Sequence, residues 1–244
     1  MDEELKAPPL TPYDALAAHY RSVSAAKAAY LDAVENIIIQ LIAPNAESLL
    51  DVGSGDGHRA MRIATSKHIN NIVLAEPSHN MREFCRRNTP ATIWSVSAEE
   101  LPETEDRFAV ITCLWNVLGH LENNQKRLKA LKKMRLLLRD DGSMFVDVNN
   151  RYNAVTYGFL PTLGRMLRDV LVPSETNGDA QVTWRFGQKP IQSQSHFFTP
   201  REIRKLLDDA GLVVKQEFVV DYHTGKIRSS NFAGQLLFQL AKTD

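Results

Sequence analysis

A glycine-rich turn between an apolar strand pattern and a helical one restricts this chain more than any other feature. Ser48-Leu49-Leu50-Asp51-Val52 reads as a short buried strand, Gly53-Ser54-Gly55-Asp56-Gly57 follows with no spacer, and residues 58–66 read as a helix. Glycines here let a ligand approach the backbone, because no side chains stand in the way, and the first helix amides face whatever polar group lies there. A strand buried on both faces needs parallel neighbours, so the turn implies βαβ units and a sheet covered on each side.

The downstream pattern supplies those units. Residues 71–75 read as a strand, 78–88 as a helix, and 92–96 and 108–114 as further strands. A helix over 123–138 carries Leu128, Leu131, Met134 and Leu138 on one face, with Lys126, Lys129, Lys132, Lys133 and Arg135 forming a solvated one. Asp140-Asp141-Gly142 is expected to turn the chain into a strand over 143–148. Upstream, residues 13–20 form a short helical piece. A longer helix then presents Ala26, Ala29, Tyr30, Ala33, Val34, Ile37, Ile38 and Leu41 on one face until Pro44-Asn45 ends it. After Asn149 the rhythm breaks. Residues 150–190 carry glycines, prolines and scattered aromatics and read as an insertion, in which 181–186 and 191–198 can pair as a hairpin around Gly187-Gln188-Lys189-Pro190. Thr199-Pro200-Arg201-Glu202 is a strong helix start: Thr199 can cap the Glu202 amide, Glu202 can reach back, and Pro200 sits where no amide bond is lost. Ile203, Leu206, Leu207 and Ala210 give that helix an apolar face and Gly211 closes it, after which strand patterns cover 212–222 and 234–240.

Composition narrows the partners. Lys plus Arg and Asp plus Glu number 29 each among 244 residues, so formal net charge is zero and no basic footprint for a large nucleic-acid partner shows in the total. The acidic start Met1-Asp2-Glu3-Glu4-Leu5-Lys6 lacks an apolar core and does not read as a signal peptide. The longest apolar stretch, residues 37–43, is interrupted by Gln40 and falls far short of the ~20 residues that span a bilayer. Cys85 and Cys113 each stand alone and read as buried thiols rather than a disulfide or metal pair. These features predict a cytoplasmic chain with no membrane segment and no metal site.

Two details separate the ligands that such a turn can hold. The spacing is Gly53-x-Gly55-x-Gly57, whereas a dinucleotide fingerprint needs its third glycine at position 58, which is His58. Asp51, just before the turn, suits a ligand with a cationic amino group better than one with a pyrophosphate. Glu76 follows the next strand, ~20 residues on, where a doubly wound fold places an acceptor for ribose hydroxyls. Taken alone, it reads equally well as a solvated strand end. Ser97-Ala98-Glu99-Glu100-Leu101-Pro102 lies just beyond the third strand, where the next contact with such a ligand falls.

Six segments occurring in order carry a family likeness. Asp51-Val52-Gly53-Ser54-Gly55-Asp56-Gly57, Leu74-Ala75-Glu76-Pro77-Ser78, Ser97-Ala98-Glu99-Glu100-Leu101-Pro102, Leu114-Trp115-Asn116-Val117-Leu118-Gly119-His120-Leu121, Leu138-Arg139-Asp140-Asp141-Gly142 and Phe198-Thr199-Pro200-Arg201-Glu202 together resemble the class I, S-adenosylmethionine-dependent methyltransferases. Within that class the chain looks most like the small-molecule N- and O-methyltransferases, including the glycine N-methyltransferase-like group. The resemblance covers residues 13–150 and 195–242. It implies an α/β fold: a Rossmann-like, doubly wound, mostly parallel seven-stranded sheet with an antiparallel last strand, plus N-terminal helices and a lid insertion. The expected parts are a leader and helical cap over 1–44 (its first 11 residues mobile), a cofactor-binding core over 45–150, a lid over 151–195 and the rest of the core sheet over 196–244.

The resemblance also implies the site. S-adenosylmethionine is the cofactor, with S-adenosylhomocysteine as its product, a small-molecule acceptor is the partner, and the chain is a monomer or homodimer. Gly53, Ser54 and Gly55 pass close to the methionine part, with Asp51 helping to hold its amino group and the Leu114 carbonyl offered to the same ammonium. Glu76 binds the ribose hydroxyls, Pro77 and Met81 pack near the adenine, and Ala98 and Glu99 contact its edge. Tyr13, Tyr20 and Arg21 match an N-terminal helix that closes over the cofactor, Arg21 serving as the carboxylate partner. Ser97 stands where many relatives carry an Asp bonded to the adenine amino group, so the acceptor there is weaker.

Methyl transfer from a sulfonium is an in-line displacement with an excellent leaving group already in place, so no fixed triad is expected. Candidate catalytic residues belong at the carboxyl ends of the strands. Asn116 and His120 follow the fourth strand, and Asn149, Arg151 and Tyr152 the fifth. His120 can act as a general base, its ordinary pKa lying near neutrality, or can be a helix-start histidine bonded to backbone. Arg151 and Tyr152 can bind an acidic or phenolic acceptor. Trp184 and His196, on the hairpin, read as lid packing, and Trp115 as a core or cofactor-wall aromatic. Other readings are a methyltransferase of RNA or protein, a nicotinamide-dependent oxidoreductase, and a noncatalytic cofactor-binding scaffold. Zero net charge and the stretch Leu114-Trp115-Asn116-Val117, unlike an Asn-Pro-Pro-Tyr motif, count against the first; the glycine spacing counts against the second.

Overall fold

Thr11 and Asp14 open the first helix with a reciprocal cap: the Asp14 amide donates to Thr11 Oγ1 at 3.2 Å and the Thr11 amide to Asp14 Oδ2 at 2.7 Å. The computed structural model describes residues 11–186 and 189–243. The expected leader, Thr11 apart, and the Gly187-Gln188 part of the hairpin turn lie outside them. Helix α1 (Pro12–Leu16) passes through a 3-10 turn into α2 (Tyr20–Ala25), and the long α3 (Ala28–Leu41) follows. Tyr30, Leu31, Val34, Ile37 and Ile38 form the buried face of α3, as the 3.6-residue period requires, while Ala26 and Ala29 stay exposed.

Strand and helix then alternate. They are β1 (Ser48–Val52), α4 (His58–Lys67), β2 (Asn71–Ala75), α5 (His79–Asn88), β3 (Thr92–Trp94), β4 (Phe108–Cys113), α6 (Asn124–Leu137) and β5 (Leu138–Val148). The insertion holds α7 (Ala154–Tyr157), α8 (Phe159–Leu171) and an antiparallel hairpin of β6 (Asp179–Phe186) with β7 (Lys189–His196). After it come α9 (Pro200–Asp209), β8 (Leu212–Val220), β9 (Ile227–Arg228) and β10 (Gln235–Lys242). The main sheet has the order β3-β2-β1-β4-β5-β10-β8-β9. Strand β1 lies parallel between β2 and β4, and β10 runs antiparallel to both β5 and β8. This is the expected Rossmann-like sheet with its antiparallel last strand, extended to eight strands by the two-residue β9.

Apolar layers cover both faces of the sheet. Leu131, Met134, Ile203 and Leu207 from α6 and α9 seal one, and Val34, Ile38 and Ile63 from α3 and α4 seal the other. The start of α9 has the capping box its sequence predicts, with the Glu202 amide donating to Thr199 Oγ1 at 3.1 Å and the Thr199 amide to Glu202 Oε2 at 3.4 Å. Cys85 and Cys113 are both buried free thiols. Among the described residues no helix is long and apolar enough to cross a membrane, and no group of His, Cys, Asp or Glu could hold a metal ion.

Four local expectations need correction. Asp140-Asp141-Gly142 does not separate helix from strand. Instead β5 starts at Leu138, and its register with β4 jumps from Phe108–Leu138 to Val110–Ser143, so the acidic residues bulge out. Two cations of the α6 surface are tethers: Lys133 Nζ donates to the Leu101 carbonyl at 2.6 Å and Arg135 Nε to that of Gly211 at 2.8 Å. The strand expected over 92–96 ends at Trp94. The insertion also contains a full helix, α8, where glycine and proline suggested breaks. Pro161 falls in its first turn, where no intrahelical amide bond is lost. Its apolar arc points outward, with Phe159, Leu160, Val170 and Leu171 between 71% and 78% exposed, and only Thr162 of the helix is buried.

Candidate active site

The turn after β1 is built on left-handed glycines. Gly53 has φ +72° and Gly55 φ +59°, and the Gly53 and Ser54 amides both donate to the Ala75 carbonyl at the end of β2. A Cβ on Gly53 would lie 2.4 Å from Val117 Cγ2, and one on Gly55 would lie 2.7 Å from the Tyr20 hydroxyl. Backbone angle and close approach both demand glycine. Glu76 lies across this turn, with Oε2 accepting the Gly55 amide and Oε1 the Ser78 amide, each at 2.8 Å. Burial pushes its carboxyl up to about 7, although those two bonds pull the other way. Each oxygen keeps a free lone pair for a further donor.

A cavity of about 580 Å³ opens over the turn, within the range of small-ligand sites. Tyr13, Tyr20, Gly53, Gly55, Glu76, Pro77, Ser97, Ala98, Glu99, Leu114 and His120 all line it, so the structure brings these sequence candidates together. Trp115, Val117 and residues 192–194 of β7 close the remaining walls. The cap is held down by Asp14, whose Oδ1 accepts from Ser78 Oγ at 2.6 Å and from the Asn80 amide at 3.0 Å at the start of α5.

Other candidates lie elsewhere. Asp51 is buried beneath the turn, where its Oδ1 accepts from Thr112 Oγ1 at 2.6 Å and its carbonyl from Ser54 Oγ at 2.8 Å. Met81 is fully buried under the cap with Leu16 and Tyr20. Arg21 points to solvent, its side chain 70% exposed, with Nε 3.4 Å from Asp56. Arg151 and Tyr152 do not reach the cavity. Beyond β5 the Arg151 amide donates to the Phe198 carbonyl, and both side chains turn to Asp169 of α8 at 2.8 and 3.0 Å. Asn116 spans two loops, donating from Nδ2 to Ser195 Oγ and accepting the Asn149 amide, both at 2.9 Å.

Two residues went unnoticed in the sequence. Arg59, on the first turn of α4, lines the cavity and sits among Tyr20, Asp51, Asp147 and Glu35. Its Nη2 donates to the Leu114 carbonyl at 3.3 Å, the acceptor expected to face an ammonium, and its buried Nη1 has no partner. Asp147, on β5, anchors the loop after β4. Its Oδ1 accepts both the Trp115 and Asn116 amides, and its Oδ2 accepts the Tyr30 hydroxyl. Trp115 and Asn116 both have positive φ, at 64° and 62°, a strained pair held by this buried carboxylate. A helical arginine and a strand aspartate carry no motif, so only the fold reveals them.

A second cavity, of about 370 Å³, shares Tyr13, Tyr20, Trp115 and His120 with the first. The candidate Asn116 lines it too, along with Asn149, Trp184, Tyr222 and Lys27 among others. Within the shared wall the Tyr13 hydroxyl meets His120 Nε2 at 2.8 Å, and His120 Nδ1 meets the Gln194 carbonyl at 3.2 Å. Burial raises the Tyr13 phenol and lowers the His120 pKa, so a neutral imidazole accepts from Tyr13 and donates from Nδ1 to the carbonyl.

A model of the methyltransferase domain family matches residues 19–217, a span that includes the glycine turn, Glu76, the Ser97 segment and the loop after β4. The chain belongs to this methyltransferase family. The resemblance to class I, S-adenosylmethionine-dependent methyltransferases, and with it the Rossmann-like fold, stands on that match. No curated protein matches the sequence. Among solved structures, this methyltransferase is similar to CalS10, an amino pentose methyltransferase from Micromonospora echinaspora, at 17% identity over 100% of both chains and a TM-score of 0.62. The Burkholderia thailandensis 1,6-didemethyltoxoflavin-N1-methyltransferase aligns at 17% identity over 100% of this chain and 98% of its own, with a TM-score of 0.61. A Haloferax volcanii methyltransferase solved with the Trm112 activator aligns at 13% identity over 96% of each chain, with a TM-score of 0.68. At such identities these likenesses establish the shared fold.

Proposed function

We propose that this methyltransferase carries a methyl group from S-adenosylmethionine, held in the larger cavity, to a nitrogen or oxygen of a flat small-molecule acceptor held in the smaller one. That Tyr13, Tyr20, Trp115 and His120 line both cavities carries the reading: the two spaces adjoin at these residues, and an in-line displacement needs an acceptor atom to reach within about 3–3.5 Å of the donor methyl across that junction. The residues of the larger cavity suit the cofactor. The remaining lone pairs of Glu76 suit ribose hydroxyls, and the unpartnered Nη1 of Arg59 suits the methionine carboxylate. Pro77, Ala98 and Glu99 of the same lining suit the adenine, and Glu99 Oε2 is itself buried without a partner. The aromatic walls of the smaller cavity favour a flat acceptor. The fold neighbours named for an amino pentose and for a didemethyltoxoflavin support a small-molecule acceptor.

The cofactor supplies a sulfonium methyl with its leaving group attached. The chain has to orient the acceptor, exclude water and take a proton where the acceptor carries one. The hydrogen-bonded pair of Tyr13 and His120 suits the last of these. Tyr13 lines both cavities, and its phenol passes its proton to His120 Nε2 as it receives one, while Nδ1–H stays on the Gln194 carbonyl. Calorimetry with S-adenosylhomocysteine tests the donor site: wild type binds, Glu76→Ala and Arg59→Ala bind at least tenfold more weakly, and Arg21→Ala binds as wild type. Absence of binding to folded wild type would remove the reading. A cofactor-turnover screen over small amines, phenols and aminosugars then identifies the acceptor.

A further inference from the structure

A third cavity, of about 350 Å³, lies between α8 and the base of the hairpin and shares no lining residue with the two described above. Arg151, Arg165 and Arg168 converge on it. Arg151 is only 4% exposed, and its Nε is buried with no hydrogen-bond partner. One carboxylate answers it, Asp169, 2.8 Å from Nη2, and that carboxylate also accepts the Tyr152 hydroxyl. Arg165 stacks on Tyr157 with its guanidinium 4.7 Å from the ring centre and donates to the Arg151 carbonyl. Among the described residues no carboxylate pairs with Arg165 or Arg168. Asp179 lines the cavity as well, but its Oδ1 is engaged by His196 Nδ1 at 2.7 Å, with Arg127 Nη2 at 3.9 Å.

Three guanidinium groups around one recess repel each other, and a buried N–H without an acceptor costs free energy. A multiply charged oxyanion removes both penalties, because each planar fork can present paired donors to it. A tetrahedral phosphoryl group offers enough oxygens for three forks, whereas a carboxylate offers two. Tyr157 and Phe197, edge to face with ring centres 5.7 Å apart, line the same recess and give an apolar wall for a carbon skeleton.

The geometry points to a binding site for the phosphoryl group of a phosphate monoester, held by Arg151, Arg165 and Arg168 between α8 and the lid hairpin. The site stands apart from the methyl-transfer reading and does not depend on it. The outward apolar arc of α8 next to it makes a lipid-borne phosphate as suitable a source as a soluble one.

Calorimetry of the full chain with glycerol 3-phosphate at fixed ionic strength, and flotation with phosphatidylcholine vesicles containing phosphatidic acid, separate the two sources. Either ligand is expected to bind wild type. The Arg165→Ala/Arg168→Ala double variant, which alters half-exposed or exposed side chains, should bind at least tenfold more weakly while its thermal midpoint falls by only a few degrees, and Arg151→Lys should also weaken binding. Binding of glycerol 3-phosphate assigns a soluble ligand, and binding to vesicles alone assigns a lipid headgroup. The site is overturned if neither ligand binds wild type, if the double variant binds as wild type does, or if saturating S-adenosylhomocysteine displaces the phosphate.

Discussion

The Tyr13 hydroxyl lies 2.8 Å from His120 Nε2, joining the N-terminal cap to the turn after β4 across the boundary of two cavities. If the pair moves a proton, each member fails without the other. Tyr13→Phe and His120→Ala should each lower kcat about a hundredfold on an acceptor that must lose a proton, and the double variant should be no worse than the poorer single one. S-adenosylhomocysteine affinity, read by calorimetry, should change less than kcat. Full turnover in His120→Ala would exclude the base.

Glu76 makes cofactor affinity depend on pH. Its carboxyl stands at about 7 in the free protein because burial disfavours the charge, and ribose hydroxyls favour the ionised form. Affinity for S-adenosylhomocysteine should therefore be flat above pH 7 and fall by about tenfold per pH unit below it. The sign for stability is opposite. A carboxyl raised in the folded state contributes stability that is full at acid pH and lost as pH rises through about 7, so the cofactor-free protein should melt lower at pH 8 than at pH 6 at this site. Glu76→Ala should remove both dependences.

Two glycines predict opposite outcomes of one substitution. Gly53→Ala puts a Cβ 2.4 Å from Val117 Cγ2 at φ +72° and should cost about 2–4 kcal/mol in urea unfolding. Gly164, inside α8, has nothing within 4 Å of such a Cβ, so Gly164→Ala should stabilise the helix by about 0.5–1 kcal/mol.

Asp147 holds the loop after β4 through Trp115, Asn116 and Tyr30. Asp147→Asn presents an amide to at least one group that is itself a donor and should destabilise by about 2–4 kcal/mol. Tyr30→Phe, which removes a single bond, should cost about 1–2 kcal/mol. Near-ultraviolet circular dichroism should report a change at Trp115 in the first variant.

The parts legible in the sequence were those whose physics is local. The glycines before α4 and the Thr199–Glu202 box each declare their geometry within five residues. Glu76 was legible through the fixed step from one strand end to the next. The parts that were missed depend on distant neighbours. Arg59 reads as any helical surface cation until the fold sets it beside Leu114, and Asp147 reads as a strand residue until Tyr30 and Trp115 surround it. Arg151 and Tyr152 sit at the expected strand end, yet the bridge between Asn150 and Phe198 turns them away, and no sequence pattern records that turn. Helix α8 carries a helical signal, since Phe159, Leu160, Leu163, Leu167, Val170 and Leu171 recur at helical spacing; Pro161 and Gly164 obscure it, and only the fold shows that this arc faces water.

That outward-facing arc also decides how the molecule loosens. With Thr162 as its one buried residue, α8 has little apolar contact to lose on detaching, whereas α3 would have to pull Val34 and Ile38 from the core. Hydrogen exchange should therefore release the α8 amides at a small fraction of the global unfolding free energy, well before those of α3. The wall of the arginine recess would then be a unit that opens alone while the sheet beside it stays closed.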